Sequence, residues 1–107
     1  MKRRKATKAK LAALSAAVQH VTGKKPEGTL GGGWLAVEVD MGAVPGGQAK
    51  LVYWFWGKGI RADVVVYGSG NAQTLLVRTP LIPVTSWAKK STRSVVSRLF
   101  NQVEKSL

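Results

Sequence analysis

The chain reads as an α+β fold: an N-terminal helix, a four-stranded antiparallel meander sheet and a C-terminal amphipathic helix. Three observations predict it. Apolar residues recur at helical spacing near both ends, they alternate through the middle, and the alternating runs are separated by glycine-rich connections too short for a parallel crossover. The length of 107 residues and a hydrophobic share of 45% suit one domain with a real core.

Leu11, Leu14, Val18 and Val21 fall three and four residues apart, one stripe of a helix running roughly from Ala6 to Thr22. Gly23 offers a left-handed cap and Pro26 prevents continuation. Gly28 and Gly31 to Gly33 punctuate the chain, after which Leu35, Val37, Val39 and Met41 alternate with Trp34, Ala36, Glu38 and Asp40 as a half-buried strand. Residues 42–47, rich in glycine, read as a turn or loop. Gln48 to Trp56 makes the second strand, Gly57-Lys58-Gly59 a tight hairpin, and Ile60, Ala62, Val64 and Val66 the inner row of the third. A fourth strand runs from Gln73 to Thr79. Thr85 or Ser86 is then placed to cap a final helix whose apolar face carries Val95, Val96, Leu99, Phe100, Val103 and Leu107. Lys89, Lys90, Arg93, Arg98 and Lys105 mark its other side as basic.

Charge is the strongest functional signal. The chain carries 17 Lys and Arg against 5 Asp and Glu, a formal net charge of +12, and no acid precedes Glu27. Lys2, Arg3, Arg4, Lys5, Lys8 and Lys10 are expected to form a basic arm over residues 1–10, with flexibility allowed for, ahead of a single domain at 11–107. Such a run releases counterions from a phosphate backbone and gives salt-sensitive, largely sequence-blind attraction to nucleic acid.

The second strand carries Lys50, Trp54, Trp56 and, just beyond it, Lys58 on one side, with Arg61 and Arg78 placed to extend the same surface from neighbouring strands. Aromatic rings flanked by cations make a platform on which unpaired bases can stack. The same tryptophans also suit a core or a dimer interface, and both readings stand at this point.

Catalysis has little to draw on. There is no cysteine, His20 is the lone histidine, and Glu38 and Asp40 could seat a metal only if a third carboxylate joined them. The glycine runs lack the order of a phosphate loop. The expectation is therefore a non-enzyme without metal or cofactor. Leu11 to Val18 is too weakly hydrophobic for a signal sequence, and no segment has the length of a membrane span, so a cytoplasmic protein is expected, or a virion-associated one if the chain is viral.

Arg61-Ala62-Asp63-Val64-Val65-Val66-Tyr67, a glycine turn, then Leu75-Leu76-Val77 and Ile82-Pro83-Val84-Thr85 resembles the amino-terminal nuclease domain of type I restriction motor subunits. The resemblance implies a metal-binding role for Asp63 and a Glu-x-Lys closing the next strand. Here that place reads Val77-Arg78-Thr79-Pro80, so the catalytic pair is missing and an inactive site is implied. Alternating valines in a hairpin recur widely, and no family is assigned from them.

Together these features predict a small basic nucleic-acid-binding protein, DNA before RNA and with single-stranded DNA among its ligands, of a phage or viral kind. Phosphates would lie on the arm and on Lys89, Lys90 and Arg93, and bases on the sheet. The alternative is a structural or inhibitory protein that meets an acidic protein surface. The apolar end of the last helix and the open sheet edges also predict a homodimer.

Overall fold

The computed structural model describes residues 5–107. Helix α1 spans Lys8–Thr22, and the Thr7 hydroxyl caps it by accepting from the Lys10 amide at 3.2 Å. Gly23 ends it in the left-handed region at φ 72°, its amide donating to the Gln19 carbonyl. Six strands follow: β1 Glu27–Leu30, β2 Trp34–Val44, β3 Gly47–Trp56, β4 Gly59–Tyr67, β5 Gln73–Arg78 and the short β6 Ile82–Pro83. Helix α2 closes the chain over Lys89–Ser106. The sheet is an antiparallel meander in the order β1-β2-β3-β4-β5, with β6 pairing β4.

The fold class is the expected one, α+β, with more strands than four. Glu27–Leu30 pairs with β2 although all four of its residues are exposed, because its backbone bonds to β2 need no apolar alternation. Residues 42–47 are not a free loop. β2 continues to Val44 through a register shift between Asp40 and Gly42, where Gly42 takes φ 98°, and the hairpin turns tightly into Gly47. The α2 cap also differs from expectation. Ala88 is the N-cap and makes no side-chain bond, while the Ser86 hydroxyl accepts from the Ala88 amide at 3.2 Å, outside the helix.

Both helices lie on one face of the sheet, α1 over β1 and β2, α2 over β4 and β5, and they pack on each other between. The core is the layer they enclose. Leu14 and Val18 of α1, Val96, Leu99 and Val103 of α2, and Leu35, Val37, Leu51, Tyr53, Phe55, Ile60 and Val64 of the sheet are essentially without exposed surface. Burying each such side chain contributes about 1.5–3 kcal/mol before the entropy of ordering is set against it. Leu11 leans close to β1, so that a Cβ at Gly28 would come within 2.8 Å of the end of its side chain.

Candidate nucleic-acid interface

With the helices on one face, strand alternation sends Trp34, Glu38, Asp40, Lys50, Trp54, Trp56, Arg61, Asp63 and Tyr67 to the other. Register brings three of the tryptophans together. Trp34 is the cross-strand partner of Trp56, and Trp54 is that of Ala36 on one side and Arg61 on the other. The Trp34 and Trp54 rings lie 5.6 Å apart at 51°, and Trp34 and Trp56 keep 38% and 39% of their surface exposed. With Gly33 and Arg61 they line a shallow cleft of about 460 Å³ at one end of the sheet. Gly31 makes room for it, since a Cβ there would fall 2.2 Å from the Trp34 ring.

Arg61 lies over the Trp56 ring at 4.7 Å from its centroid, a cation–π contact. Its Nε is 3.2 Å from the Asp63 carboxylate, which is also gripped by Nε and Nη2 of Arg78, both at 3.2 Å. Asp63 is only 2% exposed. A nearly buried carboxylate thus accepts a two-bond fork from Arg78 and pairs with Arg61 by charge alone, the Arg61 Nε making no hydrogen bond among the described residues.

The rest of this face is close to electrically balanced. Glu27 stands opposite Glu38 across β1 and β2, Asp40 opposite Lys50, and the Lys50 ammonium lies 3.5 Å from Glu38 and 5.5 Å from the Tyr67 ring centroid. The Asp40 carboxyl is held below its usual range by hydrogen bonds from the Gly42 amide and the Gln48 side chain, assisted by Lys24 and Lys50. Glu38 and Asp40 are therefore engaged with Lys50, Gly42 and Gln48, and among the described residues no three His, Asp or Glu side chains converge.

Uncompensated charge sits instead on the helices. Lys8 and Lys10 of α1 and Lys89, Lys90, Arg93, Arg98 and Lys105 of α2 are opposed there by Glu104 alone, and neither helix has an acid in its first turn. The two N-termini meet at one place. Lys10 Nζ lies 5.4 Å from the Phe55 ring centroid and 5.7 Å from that of Trp87, which packs edge-on to Phe55 just ahead of α2. Phe55 is the residue between Trp54 and Trp56 on β3, pointing to the opposite face, so the helix N-termini and the tryptophan cleft share one end of the molecule.

The sequence candidates are thus divided between two faces. Lys50, Trp54, Trp56, Arg61 and Arg78 belong to the open sheet face, although Lys50, Arg61 and Arg78 are already paired with acids. Lys58 is exposed in the β3–β4 turn. Lys8, Lys10, Lys89, Lys90 and Arg93 lie in the helix layer, Lys8 and Lys10 within α1, and exposed Lys5 precedes α1 and accepts from Lys10 Nζ at its carbonyl, 2.6 Å away. Lys2, Arg3 and Arg4 lie outside the described residues. Trp34 and Asp63 were not among the nucleic-acid-binding candidates, Asp63 having entered only as the metal ligand that the nuclease resemblance implies. Trp34's alternation with Ala36 and Glu38 was a signal for it, while Asp63's partners depend on register.

The nuclease resemblance receives no geometric aid, because Asp63 is closed in by two arginines rather than set among carboxylates. No helix among the described residues is long and apolar enough to cross a membrane. No protein-family model, curated protein or solved structure matches the chain.

Proposed function

We propose that this is a small, non-catalytic nucleic-acid-binding protein, acting on DNA before RNA, that holds phosphates with its N-terminal arm and α2 and offers the end of its sheet to bases. It would act in the cytoplasm, or in a virion if the chain is viral. The observation that carries this reading is the one-sided charge: cations on α1 and α2 stand against Glu104 alone, whereas those of the sheet are matched by acids. A polyanion would therefore be drawn to the helix layer. Fluorescence anisotropy with single-stranded and double-stranded oligonucleotides of equal length, repeated from about 50 to 200 mM salt, tests it. The expected result is binding that weakens log-linearly with salt, and absence of binding at the lowest salt would reject it.

A second reading, a structural or inhibitory protein that meets an acidic partner surface, is favoured by the exposed Leu75 and Leu76 on edge strand β5. The same strand is where a homodimer would form. Val103 of α2 is consumed by the chain's own core and Phe100 packs against it, which leaves the β5 edge as the better contact.

A further inference from the structure

We infer that the cleft of Trp34, Trp54, Trp56 and Arg61 takes a single unpaired nucleobase, and that Asp63 is the positioning residue that sets Arg61 against it. The inference rests on the nucleic-acid reading and makes it specific: a local base site, not a sheet-wide platform. Its limits are physical. Beyond Trp54 the open face closes over at Val52 and Asp63, 3% and 2% exposed, and its next aromatic, the half-buried Tyr67, already has the Lys50 ammonium 5.5 Å from its ring centroid. Beyond that, Glu27, Glu38 and Asp40 line the β1–β2 side together with Lys25 and Lys50, a nearly balanced patch that offers a phosphate backbone little net attraction. Stacking is confined to the tryptophan end, where the cleft of about 460 Å³ falls within the roughly 300–1,000 Å³ typical of small-ligand sites.

Charge selects the occupant. Arg61 already fills the cation position over Trp56, so a cationic ligand would meet like charge, whereas a flat neutral ring flanked by anions meets indole faces and a guanidinium plane. The flanking phosphates find Lys58 in the turn directly after Trp56, and Lys10, Lys89 and Lys90 around the same end of the molecule in the helix layer. A strand can therefore round the tip of the sheet with its backbone on the helix N-termini and one base in the cleft. Asp63 keeps Arg61 from following a phosphate away from Trp56, because its carboxylate is anchored in turn by the two bonds from Arg78.

The test compares a short oligothymidylate with an abasic phosphodiester of the same length, reading affinity and tryptophan fluorescence on the full chain. The base-containing strand should bind roughly 5- to 150-fold more tightly, the range expected for one stacked base, and should quench fluorescence. Trp34→Ala and Trp56→Ala, both at exposed positions, should erase most of that preference while leaving abasic binding and its salt slope unchanged. Asp63→Asn should reduce the preference and, with Arg61 and Arg78 released to phosphates, should not flatten the slope. Equal affinity for the two strands without quenching, or a preference that survives both tryptophan substitutions, would overturn the base site while the nucleic-acid reading stands. If neither strand binds at low salt, both readings fall.

Discussion

Asp63 accepts two hydrogen bonds from Arg78, its register partner across β4 and β5, and lies 3.2 Å from Nε of Arg61 on its own strand. This arrangement turns two of the cations expected to face a ligand into fixed parts of the sheet. It also makes the carboxylate costlier to remove than either partner. Asp63→Ala should destabilise the fold by about 1.5–3 kcal/mol, the range for hydrogen bonds to charged groups. Arg78→Ala, at a half-exposed side chain, should cost less, and urea denaturation of both variants checks the order.

Neighbours on β3 should respond in opposite ways to truncation. Phe55 has no exposed surface and packs against Trp87 and the core, so Phe55→Ala should cost about 3–5 kcal/mol. Trp56 faces the other side with 39% exposure, and Trp56→Ala should cost about 1 kcal/mol, mainly the contact with Arg61. Equal losses in thermal or urea unfolding would place Trp56 in the core.

Tyr53 gives the clearest dependence on pH. Burial, with a smaller contribution from the Glu104 charge, pushes its hydroxyl above the ordinary value of 10.0, and that hydroxyl finds no hydrogen-bond partner among the described protein atoms. A pKa raised by folding means stability that is complete below the unfolded-state value and lost as pH rises above it. Unfolding midpoints should therefore fall above about pH 10. Tyr53→Phe should remove that component and be neutral or stabilising at pH 7, since it deletes an unsatisfied buried polar group.

The β5 edge makes a prediction about association. Leu75 and Leu76 are 46% and 52% exposed on the outermost strand of the meander. If a homodimer forms there, Leu75→Lys with Leu76→Lys should give a monomer in sedimentation equilibrium at micromolar concentrations, with circular dichroism unchanged. A parent chain that is itself monomeric under those conditions would contradict the dimer.

Much of the fold was legible because its elements obey one period each. Leu11, Leu14 and Val18 marked α1, and Leu35, Val37 and Val39 marked the inner row of β2, through the burial pattern that places them in the core. Glu27–Leu30 was not legible, because an exposed edge strand leaves no alternation to read. The residues that could form the site were largely visible as types, but their grouping was not. That Trp34 meets Trp56, and that Arg61 and Arg78 share Asp63, depends on cross-strand register that composition does not encode. The separation of helix-layer cations from the sheet was equally hidden, since it follows from both helices taking the same face.

The most direct measurement of the central claim is the salt dependence of DNA binding by two variants: Lys89→Gln/Lys90→Gln/Arg93→Gln in the helix layer and Lys50→Gln on the sheet. The triple variant should bind more weakly and lose roughly 0.7–0.9 in the slope of log affinity against log salt for each phosphate contact removed. Lys50, already paired with Glu38, should change neither quantity measurably. An unchanged slope in the triple variant, or an equal loss in Lys50→Gln, would contradict a phosphate surface on the helix layer.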